Sequence, residues 1–125
     1  MGGNNTFAAG KIVAYRWRTV DVIDGVKVLE LVDGGHKLPE EAHSSRMYIQ
    51  RYKDGRFSQL RIYDREHRLR FELACHREPR LDPSGNPVLH YHLYSQPGFV
   101  HGPAHLATEA MRRRFARYMV KGEPK

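Results

Sequence analysis

Five of the eight histidines, His76, His90, His92, His101 and His105, fall within residues 76–105, while His36, His43 and His67 lie upstream. Cys75 is the single cysteine, which excludes an internal disulfide and a cysteine-rich zinc site. Imidazole is therefore the abundant side chain that changes charge near neutral pH. In Val88-Leu89-His90-Tyr91-His92-Leu93-Tyr94 the apolar Leu89, Tyr91 and Leu93 alternate with the two histidines. A period of two places His90 and His92 on one face of a strand, about 6 to 7 Å apart along the backbone. Upstream, Leu69, Phe71, Leu73 and Cys75 alternate with Arg68, Arg70, Glu72, Ala74 and His76, and Leu60 and Ile62 alternate with Arg61 and Tyr63. If these strands pair, an open face collects His, Arg, Tyr and Glu.

Such a face has a chemical meaning. Cleavage of RNA by its own 2′-hydroxyl needs a base for that proton, an acid for the leaving 5′-oxygen and cations on the crowded phosphate. His90 and His92 fit acid and base in either order, Arg61 and Arg70 the phosphate, and His76 a supporting place. Glu72 or Tyr63 would orient an imidazole. Arg68, Arg112, Arg113 and Arg117 would hold RNA away from the scissile bond. This chemistry requires no metal and no cofactor. Two other readings use the same residues. His90 and His92 suit a metal as a His-x-His pair, with His76 or His101 as third ligand, although no carboxylate follows in Leu93-Tyr94-Ser95-Gln96. The plainer reading is a half-exposed strand whose polar face is solvated.

The elements that must position these side chains follow from local pattern. Residues 1–10 read as a flexible leader and 11–125 as a single α+β domain. Asp24-Gly25 joins two β-branched runs between Lys11 and Val32 as a hairpin, and a second Asp-Gly lies at Asp54-Gly55. The spacing predicts an antiparallel sheet of about five or six strands, with residues 33–45 and 95–103 as loops. A helix from about Ala104 or Thr108 to Val120 would cover it with Leu106, Met111, Phe115 and Met119.

The chain of 125 residues carries a formal charge of +7, from 15 Arg and 6 Lys against 14 Asp and Glu. Residues 1–62 hold 10 basic and 7 acidic residues and residues 63–125 hold 11 and 7, so the charge belongs to the folded body. Arginine grips phosphate through paired hydrogen bonds, which makes nucleic acid the first partner to consider. A non-enzymatic nucleic-acid- or protein-binding module meets the same charge. No apolar run reaches the roughly 18 residues of a membrane span, and the start lacks the blocks of a secretion signal, so a soluble protein with no membrane contact is expected.

At Leu60-Arg61-Ile62-Tyr63-Asp64, the following strand ending in His76, and Leu89-His90-Tyr91-His92, the chain resembles a family of small C-terminal modules. These are the nuclease-toxin-like domains of bacterial polymorphic toxins and phage head-associated proteins, similar to ribonucleases of the barnase, colicin and RelE type. The resemblance covers about residues 60–94. It implies a metal-independent ribonuclease toxin with Arg61, His76, His90 and His92 at its site. It also implies RNA as substrate, an acidic immunity or antitoxin protein as partner, and action in the cytoplasm after secretion or phage delivery. The chain departs from the pattern at Arg65-Glu66-His67-Arg68, where the turn usually has glycine, and in the second strand, where of the usual acidic positions, here Arg70 and Glu72, one is basic.

Overall fold

The computed structural model describes residues 17–32, 38, 39, 42, 45–95 and 100–122, with backbone alone at Val100 and His101. Strand β1 (Trp17–Ile23) and strand β2 (Val26–Leu31) form the expected hairpin. Asp24 and Gly25 close it with φ of 50° and 82°, the left-handed pair that a two-residue type I′ turn demands. Strand β3 (Met47–Arg51) and strand β4 (Phe57–Tyr63) flank the second Asp-Gly, where Gly55 takes a φ of 92°. Between β4 and strand β5 (Leu69–Arg77), Asp64 Oδ1 accepts the N–H groups of Glu66 at 2.9 Å and Arg68 at 3.0 Å. His67 takes the left-handed position of that turn, with φ of 68°, where a glycine would fit without steric cost.

Strand β6 (Pro87–Ser95) runs antiparallel to β5. The chain then returns along its free edge as strand β7 (Val100–His101) and strand β8 (His105–Leu106). The N–H of Gly102 donates to Leu93 O at 2.9 Å and that of Ala107 to Leu89 O at 3.0 Å, so β7 and β8 are one strand broken around Pro103.

The expected antiparallel α+β domain is corrected by this topology. The sheet is mixed, in the order β1-β2-β3-β4-β5-β6-β7 with β8 also on β6, and β2 and β3 pair in parallel at Lys27↔Tyr48 and Val28↔Ile49. The only α-helix among the described residues is α1 (Glu109–Phe115), seven residues long and continued by a 3₁₀ turn at Ala116–Tyr118. The physical reasons lie outside local pattern. The 15 residues between Leu31 and Met47 are enough to bring β3 back parallel to β2. At the other end Thr108 caps α1, its hydroxyl accepting the Met111 N–H at 3.1 Å, so the helix starts late. Leu106 is therefore a strand residue, 56% exposed, and not part of the helix stripe.

One face packs Val28, Ile49, Leu60, Leu73 and Leu89 with Phe115 of the helix. Phe71 bridges them, its ring 5.9 Å from that of Tyr91 and 5.8 Å from that of Phe115. A bulge at Arg70, where Tyr63↔Leu69 follows Ile62↔Phe71, turns Leu69 away from Phe71 and onto the opposite face. Leu93 is likewise not under the helix but exposed. The opposite face, expected to be open, is covered in part by Leu38, Pro39 and Ala42 of the β2–β3 crossover. Leu38 is fully buried there with Leu29, Tyr48, Tyr63 and Tyr94, and the Ala42 N–H donates to His67 O at 2.8 Å.

The expected leader, residues 11–16 of the expected first strand, and His36 and His43 lie outside the described residues. Among the described residues no helix is long and apolar enough to cross a membrane.

Candidate functional site

Alternation along β4, β5 and β6 brings Arg61, Glu72, His76, His90 and His92 to one face, as their spacing predicts. Pairing fixes how they meet: Arg61 faces Glu72, Glu72 faces His92, and Ala74 faces His90. Arg61, Glu72, His90 and His92 are all buried on this face, Arg61 against the Leu38 and Pro39 carbonyls. His76, near the end of β5, is exposed.

The three imidazoles form a row. The ring centroids of His76 and His90 are 4.6 Å apart and those of His90 and His92 are 5.2 Å apart, each pair meeting edge to face. Every Nδ1 lies against a main-chain carbonyl: His76 on Arg77 O at 2.8 Å, His90 on Val88 O at 2.8 Å and His92 on Gly102 O at 2.9 Å. A carbonyl only accepts, so each Nδ1 carries the proton and Nε2 is the basic atom of the neutral ring. His90 Nε2 is buried and has no hydrogen-bond partner. Burial pushes the His90 pKa below the ordinary imidazole value of 6.5, with His76 and His92 adding to the shift against the bond to Val88 O and the charge of Glu78. His90 is therefore neutral at neutral pH.

Arg61 has a different environment from the one a phosphate ligand needs. Its guanidinium donates to Leu38 O at 3.0 Å and Pro39 O at 3.4 Å, and its Nη2 lies 3.7 Å from Glu72 Oε2. Glu72 Oε1 accepts from the Tyr94 hydroxyl at 2.8 Å, and Tyr63 donates to Pro39 O. Burial raises the Tyr63 phenol far above its ordinary value, which keeps it a neutral donor. This network ties the crossover to the sheet and satisfies carbonyls that burial would otherwise strand. Gln50 and Gln59 continue the polar layer, joined at 3.1 Å.

The other expected site residues scatter. Arg70 stands at the bulge with Nε 4.0 Å from Asp64, and Arg68 pairs with Asp64 and Glu66 of the same turn. Burial pushes the Asp64 carboxyl up, but the N–H groups of Arg68 and Glu66, with the Arg68 and Arg70 charges, hold it below its ordinary value. Arg113 pairs with Glu109 at 3.8 Å and Arg117 with Asp24 at 2.5 Å. Arg112 has no such pairing among the described residues.

A metal reading of the histidines lacks a donor set: among the described residues no three His, Cys, Asp or Glu side chains are arranged to hold an ion. The ring of His101 lies outside the described residues. Sequence reasoning missed that Gly102 supplies the carbonyl for His92, although a Gly-Pro pair ten residues beyond it was a visible signal of special backbone. Comparison with protein-family models, with curated proteins and with solved structures gives no match to this chain.

Proposed function

We propose that the protein cleaves RNA without a metal, by proton transfer at the imidazole row. One observation carries this reading. Three imidazoles stand in contact with every Nδ1–H committed to a carbonyl, and His76 alone of the three is at the surface, where a phosphodiester reaches it. His76 Nε2 takes the proton of the 2′-hydroxyl as that oxygen bonds to phosphorus. The P–O5′ bond breaks, and the imidazolium returns its proton to O5′, leaving a 2′,3′-cyclic phosphate and a 5′-hydroxyl. Burial keeps His90 neutral, so no second positive charge stands against the imidazolium that His76 becomes. The same reading calls for an acidic immunity protein and for action in the cytoplasm.

The test is incubation of 5′-labelled RNA with the protein in EDTA, followed by analysis of the product ends. His76→Ala is expected to lower the rate by about 10²-fold or more with no change in melting temperature. The proposal fails if the parent releases no cyclic phosphate, or if His76→Ala cleaves at the parental rate. A second reading, a nucleic-acid-binding module without turnover, is favoured by the burial of His90 and His92 and by the commitment of Arg61 to the crossover. It predicts salt-sensitive binding and no product.

A further inference from the structure

The basic side chains that the imidazole row does not use gather at the end of β5. A cavity of about 860 Å³ opens there between the β3–β4 turn and the segment that follows α1. Arg56, Arg77, Arg112 and Lys121 line it, and among the described residues no Asp or Glu does. Arg56 is held by Asp54 at 2.5 Å. Arg77, Arg112 and Lys121 have no carboxylate within 4.0 Å among the described residues, and all three are exposed. Arg56 and Arg112 are also felt by Cys75 in the same wall: burial raises the thiol pKa and these two charges oppose it. A concave surface of one sign focuses its field and concentrates anions.

Charge is half of the site. Phe57, Leu89 and Met119 add apolar wall, and the Tyr52 ring is fixed among them by donation of its hydroxyl to Cys75 O at 2.7 Å. Arg56 lies over that ring, 5.0 Å from its centroid. The volume exceeds what a lone phosphate needs and falls in the range of small-molecule sites, about 300–1,000 Å³. A ligand that suits it joins phosphates to a flat, largely apolar group. Among such ligands a nucleotide within a strand has a particular claim, because His76 contributes to the cavity wall and also ends the imidazole row.

We infer that this cavity is a nucleotide subsite for single-stranded nucleic acid, with phosphates on Arg77, Arg112 and Lys121 and a base beside Tyr52 and the apolar wall. The choice of RNA as its strand rests on the ribonuclease reading above. So does the preference for a strand over a free nucleotide, whereas the basic and apolar lining of the cavity stands without it.

Fluorescence anisotropy with a 5′-fluorescein-labelled oligouridine and the matching DNA oligonucleotide tests it, using His76→Ala protein in EDTA so that cleavage does not intervene. Arg77→Gln/Arg112→Gln is compared with Arg18→Gln/Arg65→Gln, which removes the same charge from exposed positions that do not line the cavity. The cavity pair is expected to bind about tenfold or more weakly and to lower the slope of log affinity against log salt by about 1.4, roughly 0.7 for each phosphate no longer neutralised. Lys121→Gln is expected to lower that slope by about 0.7. The control pair stays within about twofold of the parent, and all variants melt with it. Equal weakening by the two pairs overturns the subsite, as does failure of both oligonucleotides to bind. Cavity-dependent binding alongside a parent that cleaves nothing keeps the subsite and rejects the ribonuclease.

Discussion

The buried His90 imidazole makes a prediction about acid stability that is independent of any substrate. In the unfolded chain this ring takes a proton near its ordinary value of 6.5, while in the native state burial holds its pKa lower. As pH falls below 6.5 the unfolded state binds the extra proton first, so the native state loses stability. The slope for one such group is at most about 1.4 kcal/mol per pH unit, and the loss stops once pH passes below the native pKa. His90→Phe removes the titration and keeps a planar ring of similar size. It gives up the bond from Nδ1 to Val88 O, worth about 1 kcal/mol, and also removes Nε2, a buried atom with no partner. At pH 7.5 the variant is therefore expected within about 1 kcal/mol of the parent. At pH 5.5 the parent gives up as much as about 1.4 kcal/mol that the variant keeps. Urea unfolding at pH 7.5, 6.5 and 5.5 measures both curves. Asp21, Asp54 and Asp64, whose pKa values are lowered, lose their contribution only as pH falls below the ordinary carboxylate range. Parallel curves for parent and variant would show that His90 titrates normally in the native state and refute the argument.

Two further predictions concern Gly102, which supplies the carbonyl for His92, and Arg61, which ties the sheet to Leu38 and Pro39. A Cβ at Gly102 would sit 2.8 Å from Leu93 O, a backbone atom that cannot swing aside, so Gly102→Ala is expected to cost about 1–3 kcal/mol. Thermal melting checks this, and an unshifted midpoint would show that the broken strand relaxes freely. Arg61→Met leaves Glu72 buried without its cation and the Leu38 and Pro39 carbonyls without a donor, an expected loss of about 3–5 kcal/mol by urea unfolding. Adding Glu72→Gln should restore part of it, whereas a stable Arg61→Met protein would mean that the crossover is held by other contacts.

Local pattern was enough to define the strands and the faces their residues share. Alternation is a backbone property, so it placed His90 and His92 together and set Arg61, Glu72 and His76 on the same side. The Asp24-Gly25 turn was equally legible, because a two-residue hairpin needs two left-handed residues in succession. What covers that face was not legible. Leu38 and Ala42 sit in a Gly- and Pro-rich stretch that reads as loop, and in the fold they join the buried cluster of Tyr48, Tyr63, Leu69 and Tyr94. This crossover turned Arg61 from an expected phosphate ligand into a strut between sheet and loop. The edge strand after β6 escaped notice for the same reason, since two residues at β7 and two at β8 have no period to read. Strand order and coverage depend on contacts between residues far apart in the chain, and local pattern holds no record of them. Tertiary packing therefore selects which imidazole meets solvent, leaving His76 outside and His90 and His92 within.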